Sequence, residues 1–232
     1  ASHEVTKTYK SNATAGMFLG CPSRHRFTMT LPLVDAPPCT SLGIALETAP
    51  ESLGELRRSD DLAGDFPALR RRLAEDGHLL VPGLLPREEV DAARAPIVAH
   101  LAAEGHLAPG TPAERAVARP GADVYFRPDL ARDNRALQRL LYRPEGAMMA
   151  FWTALLGGPV RHFDYTWLRC VAPGKGTPPH CDIVYMGRGT KALYTAWTPL
   201  CDIDLAMGGV MILEGSHHNE RLRAGYGRRD VD

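Results

Sequence analysis

The sequence predicts an α+β fold in which helices come first and strands follow. Three features carry that expectation. Capped amphipathic periods run between Asp65 and Gly158, alternating or β-branched patterns follow Pro159, and turn-rich breaks separate them. The order suits helices that buttress one side of a largely antiparallel sheet sandwich. With 232 residues and 44% apolar content the chain can bury a sizeable core. We expect an extended arm over residues 1–60, with Ser11-Asn12-Ala13 compatible with a leftover tag, and one domain over 61–232.

The helices can be placed in order. In "GDFPALRRRLAEDG" Asp65 can cap, Pro67 suits a first turn, Leu69 and Leu73 share a face, and Gly77 can stop the helix. "HLLVPGLL" reads as a short buried strand closed by Pro82-Gly83. "PREEVDAARAPIVAHLAAEG" reads as a second helix carrying Val90, Ile97 and Leu101, kinked at Pro96. Residues 106 to 124 read as loop. "NRALQRLLYRPEGAMMAFWTALLGG" splits near Pro144 into two helices, the second ending at Gly157-Gly158, with Met148, Met149, Phe151 and Trp152 as core filler. Strands are then expected in "VRHFDYTWLRCV", "LYTAWTPL" and "GGVMILEG".

Composition excludes several functions. Twenty-seven basic residues balance 27 acidic ones without a block of one sign, so no nucleic acid or acidic membrane surface is an expected partner. Five scattered cysteines (Cys21, Cys39, Cys170, Cys181, Cys201) without a C-x-x-C suit reduced thiols in a cytoplasmic protein. No run approaches the roughly 20 apolar residues of a membrane span, and the start lacks a signal-peptide pattern. The expected partner is a small molecule; the oligomeric state is left open.

The stretch "TPPHCDIVYMG" concentrates the chemistry. On a strand, residues two apart point the same way, so His180 and Asp182 project together while Cys181 faces the opposite layer. An imidazole beside a carboxylate is two thirds of the 2-His-1-carboxylate triad that holds non-haem Fe(II) and leaves positions open for substrate and O₂. Taken alone, H-x-D also fits a hydrogen-bonded core histidine or a surface ion pair. A Cys181 thiolate activated by His180 is disfavoured, because strand neighbours face apart.

From about Asp65 to His218 the chain resembles the phytanoyl-CoA dioxygenase family of Fe(II)/2-oxoglutarate oxygenases. "LAEDGHLLVPGLLPREEVDAAR" is similar to the family's opening strand between helices, and "APGKGTPPHCD" to its approach to H-x-D. "LYTAWTPLCDIDLAMGGVMIL" resembles its tryptophan strand and Gly-rich return, and "EGSHH" its Gly-Ser-His turn. The resemblance implies a double-stranded β-helix, the cupin-like jelly roll, with N-terminal helices packed on one sheet. It implies that His180 and Asp182 are iron ligands, that Trp197 lines the 2-oxoglutarate pocket, and, more loosely, that Trp167 does so too. Retention of Asp182 resembles the hydroxylating members, since halogenating ones replace the carboxylate by a small residue. Cys181 stands where Gln is common, and Glu214 where Pro is usual.

The resemblance also implies a third ligand, a histidine on a late strand, followed by an arginine that binds 2-oxoglutarate. After "GSHH" only "NERLRAGYGRRDVD" remains, without a strand pattern, so both residues and the last barrel strands are expected beyond Asp232. His217 and His218 are read as belonging to the turn, and His162 as a rim or core histidine. The implied function is an Fe(II)- and 2-oxoglutarate-dependent dioxygenase that hydroxylates a small organic molecule with O₂. The alternatives are a non-catalytic jelly-roll binding module and a barrel holding Zn²⁺ or Mn²⁺.

Overall fold

The computed structural model describes residues 7–11, 40–41, 44–47, 49, 51–190, 192–203 and 207–231. Much of the expected arm, with Cys21, Cys39 and the Asn12-Ala13 of the possible tag remnant, lies outside the described residues. Where the arm is described, it contributes strand β1 (Lys7–Ser11) and the antiparallel pair β2 (Thr40–Ser41) and β3 (Ile44–Ala45).

Helix α1 (Phe66–Asp76) starts where its cap requires. The Asp65 carboxylate accepts from Ala68 N at 2.9 Å, Pro67 sits in the first turn where no N–H is needed, and Gly77 closes the helix at φ 75°. Helix α2 (Arg87–Ala103) runs through Pro96, which has no N–H to donate, and buries Ala93, Ile97 and Leu101 at four-residue spacing. A short helix α3 (Pro128–Arg132), which the sequence reading left unassigned, follows. Helices α4 (Arg135–Tyr142) and α5 (Ala147–Leu156) are split by Pro144 as expected, and α5 ends at Gly157 in the left-handed region. Arg70 of α1 donates to the carbonyls of Ala154 and Leu155, placing a cation at the negative end of α5.

Ala93, Ile97 and Leu101 meet Leu130, Ala131, Leu137 and Leu140, with Val124, Cys170 and Ala172 closing the cluster. A fully buried leucine such as Leu101 contributes on the order of 1.5–3 kcal/mol. Asn134 holds two of these helices together. Its Oδ1 accepts from Leu137 N as the cap of α4, and its Nδ2 donates 2.6 Å to Ala93 O of α2. Asn134→Ala is expected to cost about 2 kcal/mol, the lost cap plus a lost buried bond, read as a lower denaturation midpoint.

The strand half departs from the sequence reading. Strand β4 is only His180–Cys181, a short helix α6 (Ile183–Met186) follows it, and strand β5 is Gly209–Met211; β1 lies between β4 and β5, antiparallel to both. Within "VRHFDYTWLRCV" the ladder reduces to one bridge, Phe126 with Arg169, flanked by Arg127 N to Leu168 O, Cys170 N to Tyr125 O and Ala172 N to Val124 O. "LYTAWTPL" forms no strand among the described residues, and "HLLVPGLL" contributes a single parallel bridge from Leu80 to Arg58. Aromatic and β-branched composition reports how well side chains pack on a pleated surface; a ladder also needs a hydrogen-bonded neighbour. What is observed is a mixed domain of helices and few short strands.

After β5 the Gly-Ser-His turn forms a 3₁₀ turn (Ser216–His218), and helix α7 (Glu220–Ala224) is capped by Asn219, whose side chain accepts from Leu222 N. The tail then returns to α6, where Val231 N donates to Val184 O and Arg188 pairs with Asp230 at 2.8 Å. Among the described residues no helix is long and apolar enough to cross a membrane.

Cys170 sits in the cluster at 6% exposure, and burial pushes its thiol up to about 12 against the pull of Arg127. The native thiolate fraction is therefore roughly a thousandfold lower than for an open thiol, and iodoacetamide at pH 8 is expected to spare Cys170 until the chain is unfolded, as mass spectrometry can show. Because this folded pKa is raised, the associated stability is complete below the unfolded value and declines as pH climbs from about 9 toward 12.

Candidate metal centre

The Pro178-Pro179 turn sets up the imidazole. The Pro178 carbonyl lies 2.7 Å from His180 Nδ1, and since a carbonyl only accepts, Nδ1 carries a proton and donates. That leaves Nε2 facing Asp182 Oδ1 at 3.0 Å. A bare lone pair against a carboxylate would be repulsive. The geometry therefore requires one positive charge between the two groups, either a proton on Nε2 or a cation that replaces it.

The electrostatics agree. The Asp182 carboxylate, followed by the Pro178 carbonyl, raises the His180 pKa above its ordinary value despite burial. At Asp182 burial is the largest influence and pushes upward. The His180 hydrogen bond, the nearby Thr195 hydroxyl and the charges of His180 and Arg169 together outweigh it, so the carboxyl lies below the usual range. Thr195 Oγ1 is itself buried and makes no full hydrogen bond among the described residues, so what it offers Asp182 is a hydroxyl close by and free to donate. His180 and Asp182 side chains are only 16% and 13% exposed.

The pair converges, but not by the strand alternation that the sequence suggested. Asp182 has left the strand: at φ −59° and ψ −29° it opens α6, and its carbonyl accepts from Tyr185 N and Met186 N. The strand reading therefore holds for His180 and Cys181 and fails at Asp182, where a strand-to-helix corner turns the carboxylate back onto the imidazole. Cys181 is buried at 4% exposure. The tail contacts to Val184 and Arg188 brace the corner from outside.

Both groups line a cavity of about 1280 Å³. Trp167 and Trp197 line it too, 41% and 43% exposed, so all four candidate residues face one space. Trp152 and Met149, expected as core filler, also form its wall, with Trp152 packed 5.7 Å from Tyr194. His162 is at the rim, stacked on Tyr142 at 4.2 Å with Nδ1 at 3.0 Å from the Phe163 carbonyl. His217 is elsewhere: its Nε2 donates to Ala74 O and Glu75 O, and neither it nor His218 lines the cavity. Among the described residues no third His, Cys, Asp or Glu completes a cluster with the pair. The histidine and arginine expected beyond Asp232 lie outside the described residues.

Sequence reasoning missed Arg169 and Thr195. Neither stands out by motif; only the bridge to Phe126 and the packing around Asp182 bring them to the site. The chemistry of the donor set fits a divalent metal, offering one neutral imidazole nitrogen and one carboxylate oxygen with the imidazole fixed through its other nitrogen.

The imidazole–carboxylate pair thus stands on the wall of a cavity lined by aromatic side chains, the kind of concave, largely apolar space that small molecules occupy. The chain belongs to the phytanoyl-CoA dioxygenase (PhyH) family, whose model matches residues 73–231. It is similar to the 1-deoxypentalenic acid 11-beta-hydroxylase of Streptomyces arenae, 32% identical over 165 residues, which cover 67% of this chain and 56% of that one. The enzyme of the same name from Streptomyces exfoliatus is 31% identical over the same shares. The chain thus spans about half the length of the curated relatives it matches. No solved structure gives a significant match.

Proposed function

We propose that the chain is part of an Fe(II)- and 2-oxoglutarate-dependent dioxygenase that hydroxylates a small organic molecule, with His180 and Asp182 as two of the iron ligands. The observation that supports it is the 3.0 Å approach of His180 Nε2 to Asp182 on the cavity wall, where one positive charge, a proton or a metal cation, must sit between the two groups. Family membership and two relatives named as hydroxylases support the same chemistry. In this reading the strand-forming segments belong to a cupin-like jelly roll with the helices on one sheet, and the third ligand is a histidine outside the described residues.

Bound iron with 2-oxoglutarate and O₂ would supply the oxidising power that turns a C–H bond into C–OH. The residues of this chain do the rest. Pro178 fixes the ring of His180, the α6 corner fixes Asp182, and Trp167 and Trp197 give apolar walls that orient ligand and exclude water.

Anaerobic titration with Fe(II) and 2-oxoglutarate tests it. The expected result is a weak visible charge-transfer band from chelation of 2-oxoglutarate to protein-bound iron. No band, with no retained iron, would favour the second reading, a binding module without a working metal site. Metal analysis of protein purified without added metal separates Fe(II) from Zn²⁺ or Mn²⁺.

A further inference from the structure

Five cationic side chains, Arg94, Arg161, Arg169, Lys175 and Arg188, line the cavity, whereas Asp182 is the only acidic residue among its described lining. Most are committed. Arg188 pairs with Asp230, Lys175 with Asp123 at 3.0 Å, and Arg94 donates to the Glu114 carbonyl. Arg161 has no partner among the described residues but is exposed at the rim.

Arg169 differs in placement. Its backbone is pinned on both sides by Arg127 N to Leu168 O and Cys170 N to Tyr125 O, and Cys170 faces the helical core. Arg169 itself lines the cavity. Its guanidinium lies over the Phe126 ring, 5.6 Å from the centroid. Its Nε is buried without a hydrogen-bond partner, and the group makes no hydrogen bond or ion pair among the described residues. It lines the same cavity as His180 and Asp182, and its charge is felt at both.

A buried donor left unpaired is costly, and arginine cannot shed its proton to avoid the cost. A planar fork held against an aromatic ring matches a carboxylate, and the surrounding Trp152, Trp167 and Trp197 match an apolar body. We propose that Arg169 anchors the carboxylate of a small organic acid bound beside His180 and Asp182. The proposal rests on the oxygenase reading for its location. The carboxylate belongs either to the substrate or to the co-substrate.

Calorimetry on the full chain with adamantanecarboxylate and its neutral carboxamide, in EDTA, tests the anchor without metal. If the anchor takes the substrate's carboxylate, wild type binds the acid about tenfold or more tighter than the amide. Arg169→Gln then weakens the acid by about 10- to 100-fold and leaves the amide within about twofold. Arg169→Lys, checked by circular dichroism for folding, keeps part of the acid preference because the charge remains while the fork is lost. In parallel, anaerobic Fe(II) and 2-oxoglutarate titration of wild type and Arg169→Gln reads the other source. A loss confined to the acid assigns the carboxylate to the substrate, and a loss confined to 2-oxoglutarate assigns it to the co-substrate. If both ligands bind Arg169→Gln as they bind wild type, the anchor is overturned. If wild type gives no band with Fe(II) and 2-oxoglutarate, the oxygenase reading fails, while the acid and amide comparison in EDTA still decides whether Arg169 is an anion anchor.

Discussion

His180→Ala and Asp182→Ala each lose Fe(II) binding by more than about 100-fold, beyond the 10- to 100-fold typical of changes one shell further out. They part company in the metal-free protein. Removing the imidazole leaves the Asp182 carboxylate, 13% exposed, with the charge of Arg169 and the Thr195 hydroxyl as its remaining favourable influences. A carboxylate stranded in that way is expected to cost about 1–3 kcal/mol of stability. Removing the carboxylate instead lets His180 lose its second proton, keep Nδ1–H on Pro178, and become an ordinary neutral ring at a cost below about 1 kcal/mol. Iron retention after desalting and urea midpoints of both variants read the two effects separately. Wild-type iron binding in either variant would remove the metal centre. Equal stability losses would remove the charged-pair description while leaving the metal question to the iron measurement.

The ability to read this chain from its residues follows how local each signal is. Helices α1, α2, α4 and α5 are legible because cap, period and stop lie within one segment: Asp65 accepts from Ala68 N, and Gly77 and Gly157 take positive φ. The short helices escaped because a five-residue segment such as Pro128–Arg132 gives too few positions for a period to show. Strand patterns overstated order because a ladder depends on partners elsewhere in the chain. The segment holding Trp167 and Arg169 found a few hydrogen bonds on 124–127, while that holding Trp197 found no ladder among the described residues. His180 and Asp182 were legible as a pair through spacing, yet the means differed. A corner into α6, rather than a pleat, brings the carboxylate round. Arg169 could not be read at all, since an arginine in an aromatic strand pattern is as compatible with a solvated face as with an anion site.

Gly77→Ala is expected to cost about 3 kcal/mol, or roughly 6–12 °C in Tm for a domain of this size. Two costs combine. Gly77 ends α1 at φ 75°, where a side chain adds on the order of 1–2 kcal/mol of strain. A Cβ there would also overlap Nδ1 of His217 and come within 2.7 Å of its Cγ. His217 cannot simply step aside. It is 7% exposed, its Nε2 donates to the Ala74 and Glu75 carbonyls at the end of α1, and its ring sits 3.8 Å from that of His218. The Gly-Ser-His turn is thereby locked onto the first helix, with the imidazole satisfying carbonyls that a helix end leaves open. The two costs can be separated. In a His217→Ala background the overlap is gone, so Gly77→Ala is expected to cost only about 1–2 kcal/mol there, a coupling of roughly 1–2 kcal/mol between the positions. Additive losses in this cycle would mean that the turn and the helix do not meet as described. The expected coupling would tie the residues around 217 to the helical half of the domain and leave them no part in the metal corner.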